Sequence, residues 1–182
     1  IILLKLSHMK KAYLFCFLFY TMHFCFGQST EIVIPSSVFI SRDTTVTKQL
    51  ISSLNGFLQQ KEKDNSSNTF VLKEELLATS ALLDEMKDIE KNEKLKLDHF
   101  YKAYLQNSTR LSDSLFLIQI AYMGVNDSVP ELKALFTLMA QRKEDRFLFS
   151  SPLKSRTAHW KSREFGNTKV YFKEEINVGR AD

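Results

Sequence analysis

Apolar residues at helical spacing predict a helix in the first third of the chain. Counting from a cap at Thr44 or Thr45, the apolar positions are Val46, Leu50, Leu54 and Phe57-Leu58. Recurrence every three or four residues places such side chains on one face of a helix. Before this helix, Ile32-Val33-Ile34 and Val38-Phe39-Ile40 are split by Pro35, which predicts an edge strand or an extended lead-in.

The region from residue 61 to residue 105 shows a polar stretch followed by two further apolar stripes. Residues 61–68 (KEKDNSSN) contain no apolar side chain and predict a solvated loop. The first stripe is Leu72, Leu76, Leu83 and Met86, and the second is Leu97, Phe100, Tyr101, Tyr104 and Leu105. Both have helical spacing, and the absence of Gly and Pro between Gly56 and Gly124 permits long helices.

Two more segments complete the predicted helical domain. Residues 111–123 are apolar on nearly all sides after Leu115, which fits a buried helix or a central strand. We favour the helix, since it exceeds ten residues and stops at Gly124. Ser128 and Glu131 stand at capping-box spacing with Pro130 in the first turn, and they predict a helix that runs on toward Arg146.

A different pattern follows Pro152 and predicts a β-hairpin. Residues 157–165 and 168–176 flank Gly166-Asn167, a dipeptide typical of two-residue hairpin turns. This register places Glu164 opposite Lys169 and Arg163 opposite Val170. An isolated hairpin is marginally stable in water. We therefore expect it to open a second, mixed unit that continues past Asp182; the alternative is that the chain ends there naturally.

Residues 9–27 have the features of a secretory signal peptide. Lys10 and Lys11 form a positive head, the apolar run Ala12 to Phe26 follows, and Gly27 precedes the expected cleavage site. The run is short for a membrane span of roughly 20 residues; an uncleaved anchor or a buried helix is the alternative. Residues 1–8 precede a natural Met-Lys-Lys start, so we interpret them as upstream read-through.

Removing the leader changes what composition implies. Both cysteines, Cys16 and Cys25, lie in it, so the 155 residues after Gly27 can form no disulfide and offer no thiol nucleophile. Three of the 25 basic residues, Lys5, Lys10 and Lys11, also precede Gln28, which leaves 22 against 21 acidic residues. A nearly neutral domain gives no electrostatic reason to expect a nucleic-acid partner, and we expect membrane contact only through the leader before cleavage.

Motifs for catalysis or ligand binding are scarce after the leader. The two remaining histidines, His99 and His159, are far apart, and neither an H-E-x-x-H nor a G-x-S-x-G motif occurs. The four glycines are isolated from one another, which argues against a Gly-rich phosphate loop. We therefore predict no catalytic, cofactor-binding or metal-ligating residue. A small-ligand pocket among Phe100, Tyr101, Tyr104 and Tyr122 is weighed against ordinary core packing, which we favour.

Basic residues surround two aromatic residues in the hairpin region. Lys154, Arg156, Lys161 and Arg163 lie around Trp160 and Phe165, a combination found on polyanion-binding surfaces. Acidic residues nearby favour the solvated face of a strand instead.

Two stretches carry a resemblance to known proteins. The leader ending Phe26-Gly27-Gln28 is similar to those of exported Bacteroidota proteins. Residues 149–177 (FSSPLKSRTAHWKSREFGNTKVYFKEEIN) resemble the junction before a zincin-like, peptidase-MA-type domain in secreted bacterial proteins. This resemblance implies a zinc-binding helix downstream of Asp182, so no site residue is carried over to the chain itself.

These patterns predict a mainly α, bundle-like protein with a C-terminal β-hairpin, α+β overall. The expected organisation is read-through (1–8), signal peptide (9–27), a helical domain with an extended lead-in (28–150), and a hairpin that opens a second domain (151–182). We expect an exported, non-catalytic interaction or structural module with an unidentified protein partner, in the periplasm, at the cell surface or outside the cell. The alternative is the N-terminal fragment of a larger secreted, metallopeptidase-like hydrolase.

Overall fold

A four-stranded antiparallel sheet forms the centre of the computed structural model, which describes residues 31–173. Its strands are β1 (Lys102–Arg110), β2 (Leu115–Asn126), β3 (Val129–Lys143) and β4 (Arg146–Ser150). They follow one another in the sheet in chain order, each antiparallel to the next. The predicted leader and read-through segment lie outside the described residues.

Helix α1 (Thr44–Gln59) covers one face of this sheet. Its cap is Asp43, whose Oδ1 accepts hydrogen bonds from the backbone N–H of Thr45 at 2.8 Å and of Val46 at 3.4 Å. The helix predicted from Thr44 or Thr45 is thus confirmed, with the cap one residue earlier. The backbone N–H of Phe147 in β4 donates to Ser53 Oγ of α1 at 2.9 Å, which joins helix to sheet.

Two shorter helices follow α1 in the chain. Helix α2 (Leu76–Met86) confirms, over part of its length, the helix predicted from the apolar stripe that begins at Leu72. A 3₁₀ turn (Lys73–Glu75) precedes it. Another 3₁₀ turn lies at Asn65–Ser67. Helix α3 (Leu153–Thr157) follows β4.

Both edges of the sheet are partly covered by extended chain. The lead-in pairs in parallel with β1, where the Val33 N–H donates to Ala103 O at 2.8 Å and the Leu105 N–H donates to Val33 O at 2.9 Å. On the other edge Val71 pairs in parallel with Phe149. The extended lead-in that Pro35 and its neighbours predict is confirmed.

The predicted hairpin is present as β5 (Lys161–Phe165) and β6 (Thr168–Phe172), shorter than the sequence suggests. Glu164 pairs with Lys169 and Arg163 with Val170, which is the predicted register. The two strands form a separate two-stranded sheet. The division of the chain between residues 150 and 151 stays a prediction.

The prediction of a mainly α, helical protein is wrong. Strands account for 38% and helices for 27% of the described chain. The predicted helices over residues 97–105, 111–123 and 128–146 are replaced by β1, β2 and β3, with a turn before β1. The alternative of a central strand for residues 111–123 is the correct one.

A β-bulge explains why β3 looked helical. Tyr122 pairs with Ala134 and Met123 pairs with Leu132, so the register passes over Lys133. A bulge inserts one residue and shifts the two-residue alternation by one. Leu132 and Leu135 therefore lie on the same face of a strand although they are three residues apart, the spacing that a helix would require.

The supposed capping box is a hairpin turn. Asp127 and Ser128, with φ values of 48° and 68°, join β2 to β3, and the pair Asn126 and Val129 closes the loop. Positive φ at both central residues is typical of the type I′ turn, whose twist suits antiparallel strands. Ser128 is thus a turn residue, and Glu131 lies in a strand.

The core lies between α1 and the covered face of the sheet. Phe57 packs against Phe149 at 5.0 Å between ring centroids, and Phe116 packs edge-on against Phe147 at 5.6 Å. Aromatic pairs in these geometries stabilise a core beyond the area that they bury. Every second residue of a strand points to the same side. The residues in between therefore form the opposite face of the sheet, which α1 does not cover.

Candidate functional site

The face of the sheet opposite α1, called here the open face, carries large apolar residues. On β2, Phe116, Ile118, Ile120 and Tyr122 are buried toward α1. Except for Ala121, the alternating residues on the other side are less buried, and they include Leu117 and Met123. Paired residues of antiparallel strands share a face, so the register adds residues of β1, β3 and β4. The apolar members of the open face are Tyr104, Leu115, Leu117, Met123, Val125, Leu132, Leu135, Met139 and Leu148.

The exposed end of the open face lies at the β2–β3 hairpin. Val125, Leu132 and Leu135 have 62%, 61% and 52% of their surfaces exposed. They are neighbours, because Met123 pairs with Leu132 and Ala121 with Leu135. We call these three residues the apolar patch. Single exposed leucines are ordinary on protein surfaces, whereas adjoining ones on two strands form a continuous surface.

Helix α3 covers the opposite end of the open face. A groove of about 280 Å³ between helix and sheet is lined by Leu115, Met139, Ser150 and Lys154 among others. Lys154 Nζ donates to Glu75 Oε1 at 2.7 Å, which ties α3 to the turn before α2. Met139 is accordingly buried.

The charges on the open face are all positive within the described sheet. Lys102 shares the face through its pairing with Met123, and Lys143 and Arg146 share it through the last pair of β3 and β4. All three are exposed. No Asp or Glu of β1 to β4 falls on this face, since Glu131 pairs with Gly124 on the α1 side.

The four aromatic residues weighed as a ligand pocket do not surround one cavity. Tyr104 lies on the open face, whereas Tyr122 is buried on the α1 side. Phe100 packs over Gly124, where an added Cβ would lie 2.3 Å from Phe100 Cε1. Gly124 is therefore the site of a close ring contact inside β2 and not a helix end.

Tyr101 alone among these aromatics lines the polar cleft of about 560 Å³ beside the loop of residues 88–97. Its hydroxyl donates to Glu131 Oε1 at 2.5 Å, and Lys133 Nζ lies 5.3 Å from its ring centroid. The hydrogen bond to Glu131 raises the pKa of Tyr101, with desolvation and the charge of Glu131 adding to it. Asp88 and Lys91, which pair at 2.6 Å, form part of the opposite wall.

A buried ion pair lies under the same loop. Lys61 Nζ is 2.8 Å from Glu62 Oε1 and 3.1 Å from Glu90 Oε2, with 5% of the lysine side chain exposed. The predicted solvated loop over residues 61–68 is thus wrong at both ends, since Asn68 is buried as well and donates to Phe57 O at 3.1 Å. Buried charges are retained where they are paired, and this pair joins the end of α1 to the loop before β1.

Tyr122 is a fully buried phenol whose hydroxyl has no hydrogen-bond partner in the described chain. Burial raises its pKa, and the negative charges of Glu90 and Glu62 add to the effect. The phenol therefore stays neutral in any ordinary buffer.

The two histidines do not form a metal site in the described chain. His99 and His159 are both exposed, and no group of three or more His, Cys, Asp or Glu residues capable of holding a metal ion occurs within residues 31–173. The absence of catalytic, cofactor and metal residues stays a prediction. Among these residues no helix is long and apolar enough to cross a membrane.

The sequence interpretation missed the open face and the Lys61–Glu90 pair. Burial alternates along β2 from Leu115 to Ile120 in the structure, but the sequence LFLIQI is apolar at five of these six positions and shows no alternation that could have indicated a strand. Nothing in the local sequence marks Lys61 as buried. Comparison with known proteins finds no matching protein family, no matching curated protein and no matching solved structure.

Proposed function

We propose that this chain is an exported, non-catalytic interaction module that binds a protein partner through the open face of its sheet. The observation that carries the proposal is the apolar patch of Val125, Leu132 and Leu135, each more than half exposed on adjoining strands. Continuous apolar surface with a polar rim is characteristic of protein interaction sites. The proposal of export rests on the leader at residues 9–27.

The architecture supports a partner on this face. Sheets in stable domains are covered by a second layer wherever their residues are apolar. In the described chain α1 supplies that layer on one side, and α3 covers only the end of the other side that lies away from the apolar patch. Burying a Leu or Val side chain completely contributes about 1.5–3 kcal/mol. Three half-exposed side chains therefore offer a few kcal/mol, at about half that value each. This is enough for a central cluster of an interface but not for a whole one.

Photo-crosslinking in the cells that express the protein tests the proposal. A photoreactive amino acid replaces Leu132 in one variant and Leu77 in the other, since Leu77 is the 92% exposed leucine of α2, away from the sheet. We expect a discrete crosslinked protein with the probe at residue 132 and none at residue 77. Equal patterns at both positions, or no crosslink at residue 132, would contradict the proposal.

A hydrolase fragment is the second candidate, and one observation favours it. Strands β5 and β6 form their own two-stranded sheet, which carries the exposed aromatic side chains of Phe165 and Tyr171 and is preceded directly by that of Trp160. An isolated hairpin needs further structure to pack on, as the start of a second domain would provide. Sequencing the coding DNA past the codon for Asp182 tests this candidate, which requires an open frame that encodes an H-E-x-x-H helix.

A further inference from the structure

We infer that the partner contributes an extended segment that pairs with the outer edge of β3 as an additional strand and sets apolar side chains beside Leu132 and Leu135. This inference rests on the proposed function and adds the form in which the partner binds. Its basis is a row of backbone N–H and C=O groups of β3 that has no hydrogen bonds within residues 31–173 and adjoins the apolar patch.

Strand β4 covers only part of the outer edge of β3. β2 pairs with β3 from Val129 to Gln141, whereas β4 pairs with it only from Met139 to Lys143. Residues 129–138 therefore have a neighbouring strand on one side alone. No backbone group elsewhere in the described chain forms a hydrogen bond on their other side. We call residues 129–138 the free edge.

The direction of the backbone groups follows from one hydrogen bond of β3. The Arg142 N–H donates to Ser114 O at 2.7 Å, on the β2 side. Because this direction alternates along an antiparallel strand, the N–H and C=O of Leu135 and Thr137 point away from β2. Backbone groups that are buried without a partner are rare, and Leu135 is more than half exposed. Water therefore satisfies these groups in the free chain.

An extended backbone is the occupant that matches such a row. Outward groups recur every two residues along β3, which is the repeat of another strand. A helix uses its own backbone groups internally and cannot supply them. Neighbouring strands lie about 4.8 Å apart, so an added strand would also place side chains against Leu132 and Leu135. The unpaired backbone and the apolar patch thus favour the same occupant, in a recognised mode of peptide binding.

Two features restrict the pairing to the part of the free edge nearest β4. Pro130 has no N–H to donate, and the bulge at Lys133 interrupts the regular repeat. Proline, bulges and lysine are common means of protecting a strand edge. Residues 134–138 contain none of these, and their length is that of a typical strand. We therefore place the added strand opposite residues 134–138, in line with β4.

A second copy of the chain fits the free edge poorly. A two-fold axis would pair β3 with itself in antiparallel orientation, and β4 occupies the edge from Met139 onward. To keep the start of one β3 clear of β4 in the other copy, the axis must lie at the bulge or before it. Pro130 and the bulge then fall within the paired stretch, where they prevent a regular ladder.

Backbone methylation of a bound peptide tests the inference. Selection from a displayed library of random peptides of about ten residues, with the full chain as the target, yields the probe. N-methyl residues are then placed in an enriched peptide one position at a time. We expect binding to fall about tenfold or more where an N–H faces β3, and to change little at the positions in between. A helical occupant would show no such period of two.

Amide hydrogen exchange reports the same pairing from the side of the chain. In the free chain the amides of Leu135 and Thr137 should exchange fast, and those of Phe136 and Leu138, which point toward β2, should exchange slowly. A saturating peptide should slow exchange at Leu135 and Thr137 at least about tenfold. Unchanged exchange at both positions would overturn the added strand.

Variants of the chain complete the test. Thr137→Pro removes one outward N–H at an edge position, where proline is tolerated, and it should weaken peptide binding about tenfold. Thr137→Ala keeps that N–H and is the matched control, which should bind nearly as well as the unaltered chain. Leu132→Asp should weaken binding too, whereas Leu77→Asp, at an exposed leucine of α2, should not. Thermal unfolding checks each variant, and the methylated peptides decide the matter if Thr137→Pro does not fold.

The outcomes distinguish failure of the inference from failure of the proposed function. Binding that Leu132→Asp abolishes, but that shows no period of two in the methylated peptides, overturns the added strand and leaves an interaction face. Binding that is indifferent to Leu132→Asp, or a library without any binder, overturns both. A dimer in sedimentation that Thr137→Pro dissociates would assign the free edge to a second copy and overturn the inference.

Discussion

The buried Lys61–Glu90 pair gives the sharpest prediction about stability. Lys61→Met keeps most of the aliphatic stem but removes the ammonium that lies 3.1 Å from Glu90 Oε2. Only 12% of the Glu90 side chain is exposed, so the carboxylate would be left nearly buried without its cation. Glu62, the second partner of Lys61, is about half exposed at 48% and can be hydrated in its place.

The magnitude follows from two opposing quantities. At 3.1 Å the attraction is about 5 kcal/mol for an effective dielectric constant near 20. Desolvation of each ion opposes it by several kcal/mol, so the intact pair is close to neutral in net effect. Breaking it leaves the desolvation uncompensated, and Lys61→Met should lower the free energy of unfolding by about 3 kcal/mol. Glu90→Gln should cost about 1–2 kcal/mol, because Lys61 keeps Glu62.

Urea unfolding at neutral pH provides the assay, completed by the double variant Lys61→Met/Glu90→Leu. Replacing both charges by apolar groups should bring the free energy of unfolding to within about 1 kcal/mol of the unaltered chain. Lys91→Met, which breaks the exposed pair with Asp88, is the control and should change nothing measurable. Additive losses in the double variant, or no loss in Lys61→Met, would refute the reasoning.

Three further predictions concern single positions. Gly124→Ala should lower the free energy of unfolding by about 1–3 kcal/mol in urea, because its Cβ meets the Phe100 ring; an unchanged midpoint would contradict this contact. Tyr122→Phe should raise it by up to about 1 kcal/mol by removing a buried unpaired hydroxyl, and a clear loss would reveal a partner for that hydroxyl. Hydrogen bonds from Lys87 and Asn65 lower the pKa of Asp84 in the folded chain from its ordinary value of 3.8. The stability that the ionised carboxylate contributes is therefore fully present above the pKa of the unfolded chain, and it is lost as the pH falls through the lower pKa of the folded chain. The melting temperature of Asp84→Asn should thus lie below that of the unaltered chain at pH 7 and match it in strong acid; a constant difference would contradict this.

The candidate site lay beyond sequence reasoning for a definable reason. Leu132 and Leu135 belong to one surface only because the register passes over Lys133, and a bulge depends on the pairing of two strands. Their exposure, in turn, depends on which face α1 covers. Lys102 joins them from β1, about thirty residues earlier in the chain. No local pattern connects these three positions.

The burial of Lys61 is a second feature that the local sequence could not predict. A run of charged and polar residues predicts solvent exposure, and its neighbours Glu62 and Lys63 are indeed exposed. Lys61 is buried because the loop that carries Glu90 folds over it, 29 residues away in sequence. Buried charge is identified by its partner, and the partner is set by the tertiary structure.

The sequence by itself determined the elements that local interactions stabilise. Helix α1 follows from its own apolar period and an adjacent cap, and the β5–β6 hairpin follows from the Gly166-Asn167 turn, where φ of Gly166 is 55°. The tertiary structure alone decided that residues 102–143 form strands, because their apolar residues suit either a helix or a bulged strand. Hydrogen bonds between distant segments resolve that choice, and the same pairing creates the open face.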